Sequence, residues 1–62
     1  MKVTQLTLHN GQSILVDVDK FNHAMRTQDE ESGAEYSRVV MADNFQFDVE
    51  EDLKALAEKI ND

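Results

Sequence analysis

KVTQLTLHNGQSILVDV, residues 2–18, decides how this chain folds. Its first half alternates, with Leu6 and Leu8 on one side and Val3, Gln5 and Thr7 on the other, which is the period of a strand. Asn10-Gly11 follows, a pair that readily takes positive φ at both residues and so predicts a two-residue type I′ turn. The apolar, β-branched run 13–18 then returns as a second strand. A two-residue turn sets the register: Leu6 faces Leu15, Gln5 faces Val16 and Val3 faces Val18. Both faces of this hairpin are then apolar, with Val3, Ile14, Val16 and Val18 on one and Leu6, Leu8 and Leu15 on the other. A solvated antiparallel hairpin usually keeps one face polar. Either the sheet curls around a core or one face binds another chain.

Outward from this hairpin, the chain predicts a second one, strands 37–42 and 45–48 joined by Asp43-Asn44, two residues that tolerate positive φ. Val40 then opposes Phe47 and Ala42 opposes Phe45, giving an apolar face of Val40, Ala42, Phe45, Phe47 and Val49 that reads as core. After Asp48 the period changes to 3.6, with Val49, Leu53, Leu56, Ala57 and Ile60 on one stripe, and predicts an amphipathic helix over 49–61. Asp48 as N-cap and Glu51 three residues on resemble a capping box. Between the hairpins, residues 19–27 read either as a turn at Asp19–Phe21 leading to a short strand over 22–27, or as a helical turn with Phe21, Ala24 and Met25 inward. The stretch 28–35, with Asp29-Glu30-Glu31-Ser32-Gly33, has no apolar period and reads as a solvated acidic loop.

The expected architecture is therefore α+β: one domain of two antiparallel β-hairpins in a small curved sheet of four or five strands, with closure into an SH3-like barrel as its limiting form, and a C-terminal amphipathic helix packed across it.

The order of elements resembles the short flagellar FlbD proteins: an apolar strand, Asn-Gly, a second strand, an Asp-led turn, another hairpin and a capped C-terminal helix. Residues 6–21, LTLHNGQSILVDVDKF, and 47–60, FDVEEDLKALAEKI, carry the likeness over about half of the chain. Asp43-Asn44 stands where that family typically has a second Asn-Gly, and the acidic stretch 29–35 lengthens a connection that is short there. The resemblance implies a small regulatory or interaction protein associated with motility, with no catalytic residues to carry over.

Composition narrows the function. With 62 residues the core is small, and the absence of Cys leaves no disulfide to staple it. Thirteen acidic residues against six basic give a net charge of −7, which opposes binding to phosphate backbones or anionic lipid. Neither nucleic acid nor membrane is an expected partner. The start, Met1-Lys2 followed by alternation, does not have the apolar run of a signal peptide, so the expected location is the cytoplasm.

Catalytic and metal chemistry find no convincing pattern, and the expectation is a non-enzyme without catalytic residues, cofactor or metal. His9 flanks the hairpin turn, and His23 lies where a cap or packing role accounts for it. Asp29, Glu30, Glu31 and Glu35 carry oxygen ligands of the kind Ca²⁺ takes, but not at EF-hand spacing. Asp17 and Asp19 are accounted for by a strand end and the turn after it. What remains is surface. The expected interaction face is Leu6, Leu8 and Leu15, extended by Val39 and Met41, with a protein partner and a homodimer as the first form of it. The rival function is an acidic, phage-type inhibitor that mimics nucleic acid and blocks a basic target.

Overall fold

The structure is a computed structural model that describes residues 2–61. Five strands and one helix follow in order: β1 Val3–Thr7, β2 Ser13–Asp17, a 3₁₀ turn at Val18–Lys20, β3 Phe21–Gln28, β4 Glu35–Met41, β5 Gln46–Val49 and α1 Leu53–Asn61. The class is α+β, as the periodicities predict. The strands do not make one closed sheet: β1 and β2 form a two-stranded sheet, and β3, β4 and β5 a three-stranded one in that order. Among the described residues one antiparallel bridge, Leu8 to Val49, joins them, flanked by His9 N–H donating to Asp48 O (2.9 Å) and Glu50 N–H donating to Thr7 O (2.8 Å). The SH3-like barrel does not form, because β2 and β3 keep unpaired outer edges.

Both hairpins differ from the sequence expectation by one residue, for the same reason. In the first, Leu8 N–H donates to Gln12 O (2.7 Å), Gly11 N–H donates to Leu8 O (2.8 Å), and Gly11 has φ +94°. This is a three-residue loop, a turn over His9-Asn10 closed by one left-handed residue. The second repeats it: Met41 N–H donates to Phe45 O (2.9 Å), Asn44 N–H donates to Met41 O (3.0 Å), and Asn44 has φ +68°. The extra loop residue moves each register. Leu6 pairs with Ile14, Gln5 with Leu15 and Val3 with Asp17; Val39 pairs with Phe47 and Val40 with Gln46.

A one-residue slip exchanges the faces of a strand. Leu6, Leu8, Ile14 and Val16 now share the inner face of the first hairpin, and Val3 and Leu15 stand on an outer face with Gln5 and Ser13. The doubly apolar hairpin is thereby resolved into ordinary inside-out alternation. In the second hairpin Val39, Met41, Phe47 and Val49 are the core face, while Ala42 and Phe45 are exposed and Val40 lies on the opposite side. Leu6, Val39, Met41, Val49 and Leu56 form the buried cluster, and Phe21, Ala24 and Ile60 pack against it.

The connecting segment resolves as a turn and then a strand. Asp17 Oδ1 accepts from Asp19 N–H (3.0 Å) to start the 3₁₀ turn, and β3 runs for eight residues with a register shift between Phe21 and His23. The helix begins at Leu53, four residues later than expected. Asp52 is its cap, its Oδ1 accepting from Ala55 N–H (2.8 Å). Asp48 instead lies in β5 and binds Arg38 Nε at 3.0 Å. The other half of the expected capping box, Glu51, reaches across to β1, where both carboxylate oxygens accept from Thr7 N–H at 3.0 Å.

Candidate protein interface

The edges of the first hairpin have opposite fates. The bonds Leu8 N–H to Gln12 O and Val18 N–H to Lys2 O (2.9 Å) bracket the β1–β2 ladder. Antiparallel alternation between them turns the main chain of Ile14 and Val16 toward β1 and that of Ser13, Leu15 and Asp17 away from it. On the β1 side, outward groups of Thr7 and Gln5 are occupied. Thr7 N–H goes to Glu51, and Gln5 O accepts from Lys59 Nζ (2.8 Å). On the β2 side, among the described residues, no hydrogen bond reaches the main chain of Ser13 or Leu15 from outside the ladder, while the Asp17 carbonyl faces the 3₁₀ turn that it caps and only its N–H is left on the edge.

Beside that open edge lies a slot of about 340 Å³ lined by Ile14, Leu15, Val16, Met41, Phe45 and Phe47, with Asp17, Lys20 and Asp43 at its rim. Two of its walls are large apolar side chains left in water, Leu15 at 70% exposure and Phe45 at 62%. Phe45 is held against Phe47 with ring centroids 5.8 Å apart and planes tilted by 45°. The rim carboxylates have only local partners: Asp17 caps Asp19, and Asp43 Oδ1 accepts from Phe45 N–H (3.2 Å). Among the described residues the ion pairs are Arg26–Glu35, Arg38–Asp48 and Lys59–Glu51, so neither rim carboxylate is paired with a cation.

The interaction face expected from sequence is divided by the fold. Leu6, Val39 and Met41 are buried in the core, Leu8 is half-buried against it, and Leu15 alone is exposed. These five residues do not make one surface, because the true register turns Leu6 and Leu8 inward and Leu15 outward. From the sequence, Phe45 reads as core. Its position beside Asp43-Asn44 could have marked it as a loop-flanking residue at the hairpin tip.

A second groove, about 510 Å³, runs between β3 and α1, with Phe21, Ala24, Leu53, Leu56, Ala57 and Ile60 on its walls and Asn22, His23 and Asn61 at its rim. Among the described residues its rim carries no carboxylate. Of the remaining candidates, His9 stacks on Tyr36 with centroids 4.9 Å apart, and His23 Nδ1 lies 3.1 Å from Asn22 Oδ1. The acidic loop is organised by its own backbone: Asp29 Oδ1 accepts from Glu31 N–H (2.8 Å) and Ser32 N–H (3.5 Å), which holds the Asp29 carboxyl below its ordinary pKa. Glu35 turns away to Arg26 at 3.5 Å. The hydrogen bond from Arg38 to Asp48 raises the guanidinium pKa. Ser37, the buried polar residue, donates from Oγ to Glu51 O (2.5 Å) and accepts from Arg26 Nη1 (3.0 Å), tying β4 to the approach to the helix.

Among the described residues no helix is long and apolar enough to cross a membrane. No family model, curated protein or solved structure matches the chain.

Proposed function

We propose that this chain is a small non-enzymatic protein-interaction module that works through the slot beside β2. The observation that carries the reading is the pair Leu15 and Phe45, two large apolar side chains exposed on either side of a strand edge whose main chain is open. Anchors of this kind, desolvated on contact and ringed by polar groups, are where binding energy concentrates in protein interfaces. An acidic inhibitor that imitates nucleic acid would work through its carboxylates and leave both side chains idle, so the exposure favours the module. The resemblance of its sequence pattern to the short flagellar FlbD proteins supports an association with motility, and the proposed location is the cytoplasm. Self-association through the five-residue face expected from sequence is set aside, since three of those residues are interior.

Site-specific photo-cross-linking tests this reading. A benzophenone amino acid at Leu15 or Phe45, introduced in the cells that express the protein, is expected to yield a discrete protein adduct. The same group at Glu58, exposed on α1, is expected to yield none. Equal labelling from all three positions sinks the proposal.

A further inference from the structure

We propose that the slot accepts an extended, cationic segment of another protein, added as a strand to the free edge of β2. The inference rests on the interaction reading above and names its partner chemistry. Strand addition needs an open row of main-chain donors and acceptors, and Ser13 and Leu15 present one, extended by the Asp17 N–H. Five residues of β2 offer about 17 Å of edge, the length of five or six residues of an incoming strand.

The two sides of that incoming strand meet different surroundings. Successive side chains of a strand point to opposite faces. One set falls level with Ile14 and Val16 and enters the slot against Phe47 and Met41, which favours apolar residues. The other set stands beside Leu15 and Asp17 on the outer face, where the Asp17 carboxylate is in no ion pair, and Asp43 adds a second unpaired carboxylate at the rim, two acids against the one lysine there, Lys20. A segment that alternates apolar with lysine or arginine fits both demands. A second copy of this chain fits worse, because each copy carries a net charge of −7 and would bring its own Asp17 and Asp43 to the seam.

The test uses the full chain, labelled with ¹⁵N, and synthetic hexapeptides that alternate valine with lysine, with glutamate, or with lysine plus N-methylation of alternate amides. The lysine peptide is expected to shift the amide signals of Ser13, Leu15 and Asp17 most. The glutamate and N-methylated peptides should bind at least about tenfold more weakly, because each removes one of the two recognition terms. Asp17→Asn with Asp43→Asn should weaken the lysine peptide about three- to tenfold and leave the amide spectrum of the free protein folded. Raising salt from about 0.05 to about 0.5 M should weaken it as well. Indifference to peptide charge, shifts that map to the groove between β3 and α1, or no binding of the lysine peptide overturns the inference. Self-association that strengthens with salt would make a second copy the occupant and also overturn it. Cross-linking at Leu15 would survive any of these results, so the two proposals fail separately.

Discussion

Gly11 and Asn10 separate the two possible turns, and their substitution is the sharpest test of the fold. Gly11 sits at φ +94°, and a Cβ built there meets nothing within 4 Å. Its replacement by Ala therefore costs backbone strain alone, about 1–2 kcal/mol, with no steric collision to add. Gly11→Val should cost more, because a β-branched residue resists positive φ further. Asn10 is not among the residues of positive φ. Asn10→Ala removes an exposed side-chain bond, Oδ1 accepting from Gln12 N–H at 3.0 Å, and should cost about 0.5 kcal/mol. The second hairpin supplies the control: Asn44 occupies the equivalent positive-φ position, so Asn44→Gly should be close to neutral and Asn44→Ala should cost about 1 kcal/mol. Urea denaturation measures each, with an unchanged slope showing that the denatured state is comparable. In a two-residue type I′ turn both central residues need positive φ, and Asn10→Ala would cost as much as Gly11→Ala. That result would refute the three-residue loop and, with it, the pairing of Leu6 with Ile14.

Two further outcomes follow from the packing. Asp52→Ala should lower far-UV helicity and cost about 0.5–2 kcal/mol, whereas Asp48→Ala should leave the helix signal intact, since Asp52 and not Asp48 caps α1. Leu56→Ala should cost about 2–5 kcal/mol in chemical denaturation, because Leu56 is the helix residue sealed into the core. In a domain this small, that loss could take most of the folding stability; a change under about 1 kcal/mol would mean that the helix does not seal the core.

Much of the element list was legible in the residues. Alternation over 3–7, the β-branched run 13–17 and the 3.6 stripe ending at Ile60 each produced the element expected, within a few residues. The helix start differs from the sequence expectation because Asp48 and Asp52 are both acidic residues ahead of the same stripe. Four apolar-spaced residues fit either start, and only the pairing of Val49 with Ser37 in the sheet removes residues 48–51 from the helix. The slot is legible in part: Leu15 reads from the sequence as an interaction residue, whereas Phe45, which lines the slot with it, reads as core.

The sequence by itself determined the class, the strands of the two hairpins and the helix after them, the two chain reversals and the acidic character, because these follow from local periodicity, turn chemistry and charge; that residues 21–28 are a strand was decided by their pairing with β4. Register and face were decided by tertiary structure. Asn-Gly and Asp-Asn are compatible with two-residue and three-residue loops that differ little in local energy, and the choice between them reverses every side chain of the strands they join. Burying Leu6, Ile14, Val39 and Met41 together stabilises one choice over the other, and that burial exists only once both hairpins and the helix are packed.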